Sequence, residues 1–592
     1  MGGRKLPREP RYIALFILSV VLASAIYMGW SAERALGEVA VGDFQIVRAN
    51  GRTVDFSVFK PRTQTYSGPL PAVLTIHGIS ASRDAMLPFN TELARRNFTV
   101  VSVDLAGHGV SSETFSFSTF LEVAKDAYEA VRYVQLSDPG TSNFTYGVLG
   151  HSLGAGVALL MQAMPVQPNA TVIIGGGIGE NFGGLSLPLN QTHPQNLMIA
   201  CGLYDELVSP ASAIESLKTA TGLSDVNENT TYGSFLNGTA RKLVLSNTDH
   251  LFEMSDPVIV TQSVDWMGRS LQGVHQLEQH TLSPSSHIYQ YATIAVAIQS
   301  SSVLLAVLPL FLITYSILPL KLRPTRAQND LPELSTRRSL ESSFLIGVFA
   351  GVLFLSIMLM GLMLEFAGLA LIPVSFGTTL TLYSIIMYFV VGFSVRWLLG
   401  RKPEHAGDDA GSDDRRKLAL HDLSRSLVLL IPVIVWLFLW SWLSSSLAGI
   451  RLAATPQTTG AASLERAAYT GVLTLTLLPL FYADAVWLDG VAKVTSGWSS
   501  LFSLSKKCVG VIVYRLAGFG IVVGLLYIPF LAGAQLGFIM FVALLMLPFA
   551  VLFGFSALVT LWVGGLTKNL LAAALLNAFL LAMIVASTFE II

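Results

Sequence analysis

The chain has 592 residues, 52% of them hydrophobic and 13% charged, against roughly 25% charged in an ordinary soluble domain; a purely soluble protein is excluded. Its 37 Lys and Arg offset 38 Asp and Glu for a formal net charge of -1, so no basic excess points to nucleic acid. A length well above about 300 residues argues for more than one domain, and two cysteines, Cys201 and Cys508, allow neither a disulfide framework nor a cysteine-rich metal site.

Residues 12–30 form an unbroken apolar run, long enough to cross a hydrocarbon core of about 30 Å as a helix. Arg4, Lys5, Arg8 and Arg11 precede it, so the positive-inside tendency keeps residues 1–11 cytoplasmic and exports the segment C-terminal to the run. Ala23 and Ala25 near its end also fit a cleaved signal peptide, but the length favours a retained signal-anchor. From about 40 to 275 the composition turns ordinary. Strand-forming runs ending in turn residues lie at 71–78, 98–107, 144–152, 170–177, 196–202 and 241–247, with helix-like stretches at 84–96, 117–136, 154–163 and 209–219. This alternation predicts an α/β domain with an open, mainly parallel sheet.

From about 290 to 592 the chain is apolar again, in blocks near 295–319, 344–364, 371–395, 426–446, 468–488, 509–532, 536–562 and 569–589. These predict an all-α membrane domain of about eight spans, nine with the anchor; the boundary within 509–562 is the hardest to place. Basic residues recur in every second loop: Lys321 to Arg338, then Arg396 to Arg425, then Lys493, Lys506 and Lys507. Alternating cytoplasmic exposure predicts this pattern. Candidate N-glycosylation sequons at Asn97, Asn143, Asn169, Asn190, Asn229 and Asn237 all fall in the α/β segment, which agrees with its export to the cell surface or an organelle lumen.

Gly150-His151-Ser152-Leu153-Gly154 follows the expected strand at 144–149 and opens an apolar helix. A nucleophile elbow needs small residues two before and two after its serine, because the strand-to-helix turn brings backbones close together. Serine needs a base, and the base needs an orienting acid. Asp205 follows the strand at 196–202 and His250 the strand at 241–247. In this order and placement, residues 40–275 resemble the α/β-hydrolase superfamily, esterase-like and dienelactone-hydrolase-like members included. His77-Gly78 and the run Asp104 to Gly109 extend the resemblance.

The resemblance implies Ser152 as nucleophile, His250 as general base and acid, Asp205 as the orienting acid, and the N–H groups of Ile79 and Leu153 as oxyanion hole. His77, His108 and His151 are expected to be structural. Asp249 is set aside as triad acid because it adjoins His250 in sequence, and Asp84 is expected to cap the helix at 84–96. No metal or cofactor is expected. The stretch 175–195 is too short for a large lid. Such an open site suits esterase chemistry, or a site covered by the bilayer or the membrane domain. In outline only, the architecture is also distantly similar to the GPI inositol-deacylase family, with its anchor, exported lipase-like domain and helical bundle.

Within the membrane half, Glu365 and Asp489 are expected at the interface, solvated by headgroups. Asp484 is expected either there or paired with a buried partner such as Arg515. The expectation for the whole is a serine hydrolase that cleaves an ester or thioester, small or lipid-linked, with membrane lipids as partners. A peptidase or acyltransferase using the same triad is the first alternative. A transporter or receptor with an accessory hydrolase domain is the second.

Overall fold

The computed structural model describes residues 9–592 apart from 178–180, 183–184, 187–188, 274–281, 320–335, 399–411, 450, 453–454, 456–457, 459–462, 535 and 537. Lys321, Arg323, Arg326, Arg401 and Lys402 of the expected basic loops, and part of the stretch 175–195, lie outside the described residues.

The extramembrane part is built on eight strands: β1 (Val39–Val47), β2 (Thr53–Pro61), β3 (Leu70–Ile76), β4 (Thr99–Asp104), β5 (Thr141–His151), β6 (Ala170–Ile174), β9 (Leu197–Tyr204) and β10 (Arg241–Asp249). Two-residue strands β7 (Asn181–Phe182) and β8 (Leu185–Ser186) pair separately. The sheet order is β1-β2-β4-β3-β5-β6-β9-β10. Pairs β1/β2 and β2/β4 are antiparallel and the rest parallel. Every residue of β3 and β4 is buried, as expected for parallel strands covered on both faces. The β1/β2 hairpin adds to the strands expected from the sequence, where β1 is hidden because it is an edge strand interrupted by Gly42, Asp43 and Gln45.

Helices α3 (Phe120–Ser137), α4 (Leu153–Leu160) and α5 (Pro210–Thr221) contribute to one apolar layer, and α2 (Leu87–Ala94) and α6 (Pro257–Leu271) to the other. Helix α6 is a further addition, although Asp256 accepts the N–H groups of Val258 and Ile259 and Pro257 occupies the first turn, a start signal readable from the sequence. Asp84 does not cap α2. It lies inside the 3-10 turn Arg83–Met86, whose start has no side-chain cap, and its carboxylate pairs with Arg451 at 2.8 Å. Asn97 is corrected as a glycosylation candidate: it is buried, and its Nδ2 donates to Thr65 Oγ1. Asn143, Asn190, Asn229 and Asn237 are exposed and Asn169 is half-buried.

Nine helices among the described residues are long and apolar enough to cross a membrane, so the protein is a multi-pass membrane protein. They are α1 (Glu9–Glu33), α7 (Tyr289–Ile317), α8 (Thr336–Phe366), α9 (Gly377–Leu398), α10 (Ser412–Leu443), α11 (Ser463–Ala492), α12 (Leu501–Leu531), α13 (Phe538–Thr567) and α14 (Leu570–Thr588). The difficult boundary falls after Leu531, where Gly533 takes φ +92°. Asp489 is buried rather than solvated: its Oδ1 accepts from the N–H and hydroxyl of Thr495 and fixes the turn after α11. Glu365 likewise accepts from Ser375 Oγ and the N–H of Phe376. Asp484 meets Arg515 at 3.1 Å, pinning α11 to α12, and the guanidinium lies over Phe553.

The C-terminal edge of the sheet rests on the bundle. Arg451 reaches Asp104 at 3.0 Å, and Arg466 donates to the carbonyl of Gly107 at 2.9 Å. Ile591 exchanges hydrogen bonds with Gly107 and Phe115. Asp104 is fully buried, and although burial opposes ionisation, Arg451 and Arg83 hold its carboxyl well below the carboxylate range. A carboxyl depressed on folding contributes stability above its unfolded pKa and loses it as pH falls toward the folded value. Arg451→Gln is therefore expected to cost about 3 kcal/mol near neutral pH and to flatten the acid limb of stability. Thermal unfolding in detergent between pH 3 and 7 measures both; an unchanged midpoint would show that Arg83 alone suffices for Asp104.

Candidate active site

Ser152 sits between β5 and α4 with φ +53° and ψ -115°, a left-handed conformation that strains an L side chain. The glycines around it make the turn feasible. A Cβ on Gly150 would overlap the carbonyl oxygen of Gly154, and one on Gly154 would overlap that of Ile76. The turn projects the hydroxyl above the sheet at the start of α4, where N–H groups lack intrahelical acceptors.

His250 and Asp205 come from the ends of the neighbouring strands β10 and β9. His250 Nε2 lies 3.0 Å from Ser152 Oγ, and its Nδ1 lies 3.0 Å from Asp205 Oδ2. Asp205 Oδ1 accepts the N–H groups of Leu207 and Val208. Burial works against the Asp205 anion, but His250 and these two donors outweigh it and hold the carboxyl below its usual range. The structure thus brings together three residues that are 53 and 45 positions apart in sequence. Asp249 stays apart from the relay; its Oδ1 accepts the N–H of Phe252.

The loop after β3 lies against the elbow, since a Cβ on Gly78 would meet Ser152 Cβ at 3.1 Å. Ile79 is the next residue of this loop, and Leu153 is the first residue of α4, directly after Ser152. His77 Nε2 accepts the N–H of Leu105, and His108 Nδ1 contacts the carbonyl of Ala106. Burial pushes His77 and His108 down to about 4 and His151 down to about 3. All three are neutral braces at physiological pH. His151 Nε2 reaches the backbone carbonyl of His250 at 3.2 Å, fixing the base from behind.

Five charged or polar groups beside the site are not among the residues expected from the sequence. Glu253 is buried 3.8 Å from His250 Nδ1 and 3.3 Å from His151 Nε2, and its Oε1 accepts the N–H of Gly202. Its spacing three residues after His250 is the one available signal. Glu206, next to Asp205, accepts the N–H of His250 and the hydroxyl of Tyr527 on α12. Glu590, two residues beyond α14, accepts from Ser80 Oγ at 2.9 Å, and Ser80 itself holds φ +55° immediately after Ile79. The loops of Ser80 and Glu206 are thereby braced from the membrane domain.

His151, His250 and Glu253, and also Cys201, Asp205 and Glu253, bring ligand atoms within 4.8 Å of one another. Their chemistry fits a proton network better than a cation site. His250 and Asp205 are engaged with each other, and the Cys201 thiol donates to the carbonyl of Val208 and is held protonated by burial and by nearby Asp205 and Glu253.

Residues 68–187 match the family model described as Hydrolase_4, serine aminopeptidase S33. Solved structures similar to this chain include a bacterial heroin esterase (15% identity, 40% of this chain and 84% of that one, TM-score 0.30). An esterase of Pyrococcus furiosus is 17% identical over 40% of this chain and 92% of its own, with TM-score 0.29. A hydrolase of Pseudomonas aeruginosa is 13% identical over 39% and 99%, with TM-score 0.28. No curated protein matches. The sheet order, the elbow and the family match together make the extramembrane part an α/β-hydrolase domain.

Burial raises the Glu253 carboxyl well above its ordinary value, and the Asp205 charge adds to this. A carboxyl raised on folding contributes stability fully below its unfolded pKa of about 4.3 and loses it as pH climbs toward the folded value. Glu253→Gln, a neutral isostere, is expected to fold and to flatten the decline of thermal stability as pH rises above about 4.3. A steeper decline in the variant would contradict a Glu253 carboxyl raised by folding.

Proposed function

We propose that this protein is a serine hydrolase that cleaves an ester or thioester, lipid-linked substrates included, on the extracytoplasmic side of a membrane. The observation that carries the reading is the Asp205–His250–Ser152 relay, both links 3.0 Å long, ending on a serine at a strained elbow. Ser152 Oγ attacks the acyl carbon as its proton passes to His250 Nε2. The oxyanion that forms is met by the N–H groups of Leu153 and Ile79. His250 then protonates the departing alcohol or thiol, giving an acyl-Ser152 intermediate, and water activated by the same imidazole releases the acid. Asp205 keeps Nδ1 protonated and steadies the imidazolium.

The basic residues ahead of α1 and the four exposed sequons support the extracytoplasmic side. The family match at 68–187, whose description names an aminopeptidase, favours amide hydrolysis as the second reading. The same relay serves both reactions, and the leaving group separates them.

Purified protein is expected to react with a fluorophosphonate probe and to hydrolyse p-nitrophenyl acetate. Ser152→Ala should lower ester turnover by about a thousandfold or more and remove the labelling. Labelling that survives the substitution would overturn the assignment. Faster turnover of an aminoacyl-p-nitroanilide than of the ester would select the peptidase.

A further inference from the structure

The candidate acid and base are flanked by large apolar side chains that face outward. Leu203 and Tyr204 precede Asp205, and Leu251 and Phe252 follow His250. All four are exposed, Phe252 at 63%. Strands β9 and β10 run side by side with Tyr204 opposite Asp249, so all four lie at the ends of adjacent strands, next to Asp205 and His250. Its outward attitude is built in, because the N–H of Phe252 donates to Asp249 Oδ1 at 3.0 Å and fixes the turn. Apolar side chains clustered in solvent at the mouth of a site mark a surface that meets something apolar.

What they meet is indicated by α12. The hydroxyl of Tyr527 donates to Glu206 Oε1 at 3.2 Å, and Glu206 Oε2 accepts the N–H of His250 at 3.3 Å. One side chain therefore links a membrane span to the candidate base. A helix of 31 residues is about 46 Å long against a hydrocarbon core of about 30 Å, so it extends beyond the core, and Tyr527 near its C-terminal end reaches the extramembrane domain. There Leu525, Ile528 and Leu531, at i, i+3 and i+6, are exposed along one face, Ile528 at 67%. Through Tyr527 and Glu206 this apolar end of α12 is tied to the loops that carry Asp205 and His250, where the exposed apolar side chains of the site lie.

We propose that the rim formed by Leu203, Tyr204, Leu251 and Phe252 and the end of α12 make a lateral entrance, and that the substrate is a long-chain acyl ester resident in the bilayer. Its acyl chain slides along Leu531 and Ile528 and over Phe252 as its ester carbonyl reaches Ser152. The proposal rests on the serine-hydrolase reading and narrows it. A water-soluble ester needs no such rim, whereas a lipid leaving the bilayer would otherwise expose its chain to water for the last stretch of its path.

The test uses the full-length protein in phosphatidylcholine vesicles. It compares a long-chain fluorogenic monoacyl ester partitioned into the bilayer with p-nitrophenyl acetate in the water, and fluorophosphonate labelling is read in parallel. The double variant Leu251→Ser/Phe252→Ser is expected to lose about tenfold to a hundredfold in kcat/KM on the bilayer ester, the effect of losing two apolar side chains that cover the acyl chain only in part. Labelling and acetate turnover should stay unchanged. Phe252→Leu, which keeps an apolar side chain, is expected to retain the wild-type rate on both. Wild-type protein that is labelled and cleaves the acetate but not the bilayer ester would overturn the entrance while leaving the hydrolase intact. Equal losses on both substrates in the double variant would also overturn it. Protein that neither reacts with the probe nor cleaves either ester would overturn the hydrolase and the entrance together.

Discussion

Polar groups buried between two domains must find partners across the boundary, because a buried charge without one costs several kcal/mol. At this boundary the groups belong to the loops that surround Ser152. Asp104 is answered by Arg451, the carbonyl of Gly107 by Arg466, Ser80 by Glu590 and Glu206 by Tyr527. The hydrolase fold supplies the loops, and the membrane bundle supplies half of what holds them. Each of these links joins residues more than 300 positions apart in sequence.

This arrangement gives the site its character. In the C-terminal edge of an open α/β sheet the chemistry-bearing loops are ordinarily exposed to water. Here that edge is turned toward the ends of the spans. Ser80, strained at φ +55° and adjacent to Ile79, the proposed oxyanion donor, is held by Glu590 from beyond the last span. A shift of α14 would therefore be felt at the loop of Ser80 and Ile79, and a shift of α12 at the backbone of His250. Precise placement of donors around a developing charge is where the rate enhancement of a serine hydrolase resides, so under the proposed reading the bundle is scaffold to the reaction as well as anchor.

Much of this is legible in the sequence. Interior parallel strands such as β3 read as continuous apolar runs because both faces are covered, and Ser152, Asp205 and His250 can be assigned to strand ends from local pattern alone. The eight apolar blocks after residue 290 correspond to eight helices. Edge strands are harder. β1 alternates irregularly around Gly42, Asp43 and Gln45, and its partner β2 depends on long-range pairing that no local pattern encodes. The least legible features are the long-range polar contacts. Asp84 carries the local signature of a helix cap yet pairs with an arginine 367 residues away, and Asp489, expected at a wet interface, is buried in a turn. Local propensity describes what a residue does when left alone, and these residues are recruited by packing instead.

The most direct test is the structure of the protein in a lipid nanodisc after reaction with a long-chain phosphonate. The expected adduct has a covalent bond from phosphorus to Ser152 Oγ, the phosphoryl oxygen within hydrogen-bond distance of the N–H groups of Ile79 and Leu153, and the alkyl chain running past Phe252 toward the end of α12. An adduct on another residue, or a phosphoryl oxygen turned away from both N–H groups, would contradict it.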